Sequence, residues 1–141
     1  VKKARYMYFI LENKKLLWTE VAEPTMGEND VLVEIHAVAL NRADILQKNG
    51  AYPSPKGWPE WMGLELAGVI TDMGKGAKEK CSFQIGDKVC ALVGGGGYAE
   101  YVAVKYEKKS AERILNDVTK EIMKNGAGDN YSAIICKTKR Y

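Results

Sequence analysis

The acids, amides and phenols that could do chemistry in this chain gather in two short stretches. One is Asn41-Arg42-Ala43-Asp44-Ile45-Leu46-Gln47, with Tyr52 a few residues beyond it. The other is Gly63-Leu64-Glu65-Leu66-Ala67-Gly68-Val69-Ile70, a glycine-bracketed apolar run that carries one carboxylate. Burying an ionised acid without a partner is costly, so Glu65 is expected to be hydrogen-bonded, ion-paired or placed at a cleft wall. Metal chemistry has little to draw on. His36 is the sole histidine, and it reads as a solvated strand residue. Cys81, Cys90 and Cys136 are odd in number and widely spaced, with no C-x-x-C pair, which argues against a disulfide framework or a cysteine zinc site and reads as reduced thiols.

Phosphate binding is equally poorly supplied. Gly94 to Gly97 are four consecutive glycines, but no Lys-Ser or Lys-Thr follows and the next residues look like a strand. The run reads as a sharp turn between two strands and not as a phosphate loop. A search for G-x-G-x-x-G finds Gly74-Lys75-Gly76, with Glu79 at the third position, and Gly126-Ala127-Gly128, with Tyr131 there. Neither fits a dinucleotide turn.

The elements that must position these residues follow from periodicity. Ala4–Leu11 and Leu16–Val21 are rich in aromatic and β-branched residues and flank a polar turn, a hairpin pattern. Asp30–Leu40 alternates, with Val31, Val33, Ile35 and Ala37 on one face. Asn41 can cap a helix over Arg42–Asn49 whose apolar side is Ala43, Ile45 and Leu46, and Gly50 stops it. Residues 51–62 form a proline-rich loop whose tryptophans either line a cleft or cover the end of a barrel. Leu64–Met73 is a strand, Gly74–Lys80 a charged loop, and Asp87–Val93 and Tyr98–Val104 two further strands. Beyond Tyr106, Ser110 can cap a helix through Ile122, and Tyr131–Lys137 is a closing strand.

Length and charge bound the rest. With 141 residues there is room for one domain with a real core, and not for two of full size. The net charge of +3 is dispersed, so neither nucleic acid nor an anionic membrane surface is indicated. No apolar run approaches the ~20 residues of a membrane span, and Val1-Lys2-Lys3-Ala4 does not lead into a signal-peptide core. The chain therefore reads as soluble and cytoplasmic. The pattern of many strands with a few helices suggests a mainly β fold, a small irregular β-barrel with helices at its ends.

At Asn41–Gln47, Gly63-Leu64-Glu65, Gly86-Asp87-Lys88-Val89 and Gly96-Gly97-Tyr98-Ala99-Glu100-Tyr101-Val102, the sequence resembles the medium-chain dehydrogenase/reductase superfamily, closest in type to the zinc-free NADPH:quinone oxidoreductases. The match runs in order from residue 4 to about residue 105 and implies the GroES-like catalytic domain of that family. Where the zinc-dependent branch has a ligand cysteine this chain has Asn41, and where that branch has Gly-His-Glu it has Gly63-Leu64-Glu65. The resemblance thus implies no metal, NADPH as cofactor and a quinone or other small electrophile as substrate. It sets Asn41 near the nicotinamide with Asp44 behind it, Tyr52 near the substrate, and Glu65 as a structural acid at the cleft base. Each also has a plain reading: Asn41 as a helix cap, Asp44 as a first-turn carboxylate, Tyr52 as loop packing.

Hydride transfer in that family also needs a nucleotide-binding domain of ~100 residues or more, and 35 residues follow Tyr106. No cofactor is therefore expected to bind this chain alone, and a nucleotide-binding partner domain is implied. The division expected is a GroES-like domain over 1–106 and a helix-turn-strand tail over 107–141 that completes it. A second resemblance competes for the tail: Gly126-Ala127-Gly128-Asp129-Asn130 and the apolar run after it look like the carboxyl end of metal-dependent protein phosphatases, where the aspartate binds metal. One carboxylate cannot hold a metal ion, which favours the structural reading. The alternative to an enzyme domain is a GroES-like interaction module that binds through its exposed former interface.

Overall fold

Residues 6–12, 15–106 and 134–137 are described by the computed structural model. The two runs rich in aromatic and β-branched residues form β1 (Tyr6–Glu12) and β2 (Lys15–Val21), which pair as the antiparallel ribbon that the hairpin pattern predicts. The remaining strands are β3 (Asp30–Val38), β4 (Glu65–Met73), β5 (Lys88–Leu92), β6 (Tyr101–Lys105) and β7 (Ile134–Lys137). They form one antiparallel sheet in the order β6-β3-β4-β5-β7. The mainly β fold expected is the fold observed, its strands distributed over an open five-stranded sheet and a separate two-stranded ribbon. The closing strand is β7, at the sheet edge beside β5. The helix expected over Ser110–Ile122 and the Gly126–Asn130 motif lie outside the described residues.

The core lies on one face of the sheet. Val31, Val33, Leu66, Ile70, Val89, Ala91, Val102 and Val104 are buried together there, as period-two alternation requires. Alternation fails in β3 at Leu32, buried between Val31 and Val33 where the register to β4 first shifts, and again beyond Ile35. The register to β4 shifts between Ile35 and Ala37, a bulge at His36, so Ala37 and Val38 leave the pattern and both are exposed. His36 itself is exposed with Glu34 3.7 Å away, as a solvated strand residue should be. Pairing with β4 resumes at Ala37 and runs to Ala39, whose N–H reaches Glu65 O, just before Asn41.

Two connections differ from their sequence reading. Residues 75–80, expected as a charged loop, form a short helix α2 (Lys75–Lys80). Its lysines and glutamate are good helix formers, and it needs only one apolar contact, Ala77, which is fully buried against the core. A helix of this length has no room for an apolar period. The second difference is the glycine run. β5 and β6 are not neighbours, so Gly94–Gly97 is no hairpin turn; it crosses from one side of the sheet to the other, with all four glycines buried. A Cβ on Gly94 would meet the Trp58 ring at 2.6 Å, and one on Gly96 would meet Pro59 at 2.8 Å. The tryptophan loop therefore lies directly on the crossover. Trp58 packs against the core, and Trp58 and Trp61 also line one wall of an open groove of about 680 Å³ beside β6.

Candidate functional site

The site is assembled where the crossover, the start of β4 and the first turn of α1 (Arg42–Lys48) meet. Gly97 N donates to Gly63 O at 3.0 Å and Tyr98 N to Met62 O at 3.0 Å, which ties the crossover to the segment entering β4. That approach depends on Gly63, at φ +104°, where any Cβ would run into Tyr98 N. The same bonds hold Tyr98 out of the sheet, so β6 begins at Tyr101 and not at Tyr98 as alternation suggests.

Asn41 is extended, at φ −118° and ψ 159°, and caps α1. Its backbone N–H donates to Asp44 Oδ2 at 2.6 Å, the reciprocal half of a capping box. Its side-chain Nδ2 is turned the other way and donates to Glu65 Oε2 at 3.0 Å. Glu65, half-buried at the first position of β4, is fixed from the other side by its own carbonyl, which accepts from Ala39 N at 3.1 Å. The lone acid of the apolar run is thus paired with an amide, which satisfies the requirement read from the sequence.

Behind this pair the helix is turned over relative to expectation. Ala43, Ile45 and Leu46 should have been its buried side, but Ile45 is 60% exposed, and the residues fully inside are Asp44 and Gln47. Hydrogen bonding accounts for the inversion. Asp44 must face inward to cap Asn41, and Gln47, one turn on, donates to Ser54 Oγ at 3.3 Å. Asp44 is more than the helix-dipole carboxylate of the plain reading: only 5% of it is exposed, and its Oδ1 is buried without a close hydrogen-bond partner. Tyr98 faces this carboxylate. Burial first, then the Asp44 charge and its hydrogen bonding to the phenol, push the Tyr98 pKa up to about 12.

Tyr98 is the residue that sequence reasoning missed. It stands in the Gly-Tyr-Ala-Glu stretch, and a tyrosine directly after four glycines was a signal, because a buried phenol needs a polar partner. Tyr52, expected near substrate, is 8% exposed in the loop after α1 and offers a ligand little surface. An open apolar groove of about 390 Å³ borders the site, walled by Leu16, Trp18, Ile35, Val38, Leu40 and Tyr98. Among the described residues no group of three or more His, Cys, Asp or Glu side chains could hold a metal ion.

Residues 27–112, more than half of the chain, match the alcohol dehydrogenase GroES-like domain family. The chain belongs to that family. This GroES-like domain is 33% identical over 96 residues to an acryloyl-coenzyme A reductase of Sulfurisphaera tokodaii, covering 67% of this chain and 28% of the relative. It is 35% identical over 99 residues to a chloroplastic quinone-oxidoreductase of Triphysaria versicolor, covering 67% and 29%. The crystal structure of Escherichia coli quinone oxidoreductase complexed with NADPH superposes with a TM-score of 0.57 at 25% identity, over 72% of this chain and 30% of that one. The GroES-like domain thus spans less than a third of the length of these relatives. Among its described residues no helix is long and apolar enough to cross a membrane.

Proposed function

We propose that this GroES-like domain is the substrate side of a zinc-independent, NADPH-dependent reductase of quinones or related small electrophiles, working with a nucleotide-binding partner domain. The observation that carries the reading is the Asn41–Glu65 hydrogen bond. At the positions where the zinc-dependent branch of the family places ligands, this chain has an amide closed onto a carboxylate, with an apolar Leu64 beside them. An amide is a poor zinc ligand and Leu64 is none. A quinone is already electrophilic and takes a hydride without a Lewis acid, so the substrate class and the donor set agree. The quinone oxidoreductases and the acryloyl-coenzyme A reductase among the relatives support the same class.

The residues fit one end of the cofactor. Asn41 is exposed, and its amide keeps one N–H for a ligand after bonding Glu65 and closing the capping box, while Leu40 beside it is 82% exposed and apolar enough to meet a planar ring. Asn41 would hold the carboxamide end of the nicotinamide or a substrate carbonyl, and the groove walled by Trp18 and Tyr98 would take the substrate ring and exclude water. NADPH, when bound, supplies the hydride. The pyrophosphate finds nothing comparable: the space a phosphate would need over Gly94–Gly96 is filled by Trp58, Pro59 and Trp61. That crowding supports the need for a partner domain. Asp44 and Tyr98 act through position, by fixing the turn that aims Asn41, and Glu65 braces the amide without exchanging protons.

Residues 1–106 are read as the GroES-like unit and 107–141 as the tail that completes it, which the pairing of β7 with β5 supports. A tail derived from a metal-dependent phosphatase rests on Asp129 alone, outside the described residues. We place the protein in the cytoplasm, in keeping with its widely spaced cysteines. The second reading, a non-enzymatic module binding through its apolar rim, is favoured by the exposure of Leu40 and Ile45 beside the site.

The test joins this chain to the nucleotide-binding domain of the Escherichia coli quinone oxidoreductase and follows NADPH absorbance with para-benzoquinone. The joined protein should turn over and its Asn41→Ala variant should lose at least tenfold, while the chain alone should be inactive. Turnover by the chain alone would overturn the need for a partner domain. An inert but folded joined protein would favour the interaction module.

A further inference from the structure

Two cysteines far apart in sequence hold opposed register positions at the sheet edge. In the antiparallel pairing of β5 with β7, Cys90 stands directly opposite Cys136, between the pairs Val89↔Lys137 and Ala91↔Ile135. Val89 and Ala91 are buried in the core, so the position of Cys90 lies on the other face of β5 with Lys88 and Leu92, and Cys136 is the position registered against it. Cys90 is exposed. Among the described residues β7 pairs only with β5, so it is the edge of the sheet.

This register nearly meets the demands of a covalent bond. Directly opposed residues in an antiparallel pair hold their Cβ atoms about 4.5–5.5 Å apart, and a disulfide spans about 3.5–4.5 Å. Among the described residues β7 is bonded on one side only, so the backbone approach that the bond needs falls on the edge strand. Cys81 is differently placed: it is half-buried, and its sulfur accepts from Phe83 N at 3.3 Å within its own turn.

We propose that Cys90 and Cys136 form a reversible cross-strand disulfide that clasps the C-terminal strand to the sheet. The oxidant is a small disulfide of the glutathione class. One cysteine thiolate attacks a glutathione disulfide sulfur and expels glutathione thiolate; the opposed cysteine then attacks the mixed disulfide and expels the second. The S–S bond moves from glutathione to the protein, the two protein sulfurs give up two electrons and two protons, and both glutathiones leave as thiols. In a reducing compartment the dithiol is the resting state, and oxidation closes the clasp. It would act near the candidate site, because Leu92, two residues beyond Cys90, is the cross-strand partner of Glu65.

The experiment equilibrates the full chain with graded ratios of oxidised to reduced glutathione, alkylates the remaining thiols and maps disulfides by non-reducing peptide mass spectrometry. The expected result is an intramolecular Cys90–Cys136 bond with Cys81 alkylated, and a thermal midpoint raised by roughly 5 °C or more that dithiothreitol reverses. Cys90→Ser and Cys136→Ser should each abolish that shift, and Cys81→Ser should retain it. Glutathione remaining on Cys90 as a mixed disulfide, a bond to Cys81, or a bond between two copies would each overturn the proposal. Should a serine variant fail to fold by circular dichroism, the peptide map of the unsubstituted chain decides alone.

Discussion

Asp44 is where the hydrogen bonds of the site converge, and its removal should be felt twice. Asp44→Ala strips the cap from Asn41 N and leaves that donor without its partner, so we expect a loss of about 1–3 kcal/mol, read from the urea midpoint. Asp44→Asn keeps the shape but removes the charge that faces Tyr98. In that variant the Tyr98 titration, followed by tyrosinate absorbance, should fall below about 12 yet stay above 10.0, because burial is the larger of its causes. The sign of the pH dependence follows. A phenol whose pKa is higher folded than unfolded favours the fold in its neutral form, so its contribution is complete below pH 10.0 and disappears as pH climbs through about 12. Tyr98→Phe should therefore lose less stability than the natural chain across that window. Tyr101 and Tyr106, both also raised chiefly by burial, leave a residual slope.

At the level of elements, what was legible depended on whether burial or hydrogen bonding set the pattern. β4 and β5 bury one face, so their residues alternate, β3 follows them in part, and the bounds of all three fall within a residue or two of the reading. The start of α1 was legible too, because Asn41 and Gly50 are end signals that act locally. Its orientation was not, since a period of apolar residues says nothing of a buried capping acid, and Ile45 and Leu46 were assigned to the wrong side. The glycine run misled for a related reason. Glycine serves both for turns and for close approach, and only the strand order reveals that Gly94–Gly97 is a crossover under Trp58 and Pro59. Two alanine substitutions separate those roles. Gly50→Ala, at φ +75° with open space around it, should lose about 1 kcal/mol. Gly63→Ala adds a collision with the Tyr98 and Gly97 backbone and should lose more than about 3 kcal/mol, or prevent folding, by denaturant titration.

On the scale of the whole molecule, the inversion of α1 puts apolar side chains where water is. Leu40, Ile45 and Leu46 are exposed on either side of Asn41 in the chain, and Leu40 lines the neighbouring groove together with Trp18, Leu16 and Val38. Isolated exposed apolar residues are ordinary, but Leu16, Trp18, Val38 and Leu40 sharing one groove beside a polar site are the mark of a surface meant to be covered. The positions of Glu65 and Asn41 were readable from the sequence because their types are unusual in their runs. This rim was not, because leucines and isoleucines at helical spacing look the same whether they face a core or a partner. The isolated chain should therefore self-associate with rising concentration in sedimentation velocity. Replacing Leu40 and Ile45 together by lysine should suppress that association while changing the unfolding midpoint by no more than about 0.5 kcal/mol equivalent, since neither side chain is inside the fold. A large loss of stability would instead mean that these side chains pack within a single copy. In the joined reductase, weaker docking of the nucleotide-binding domain with the same two lysines would assign the rim to that domain, and unchanged docking would leave it to the interaction-module reading.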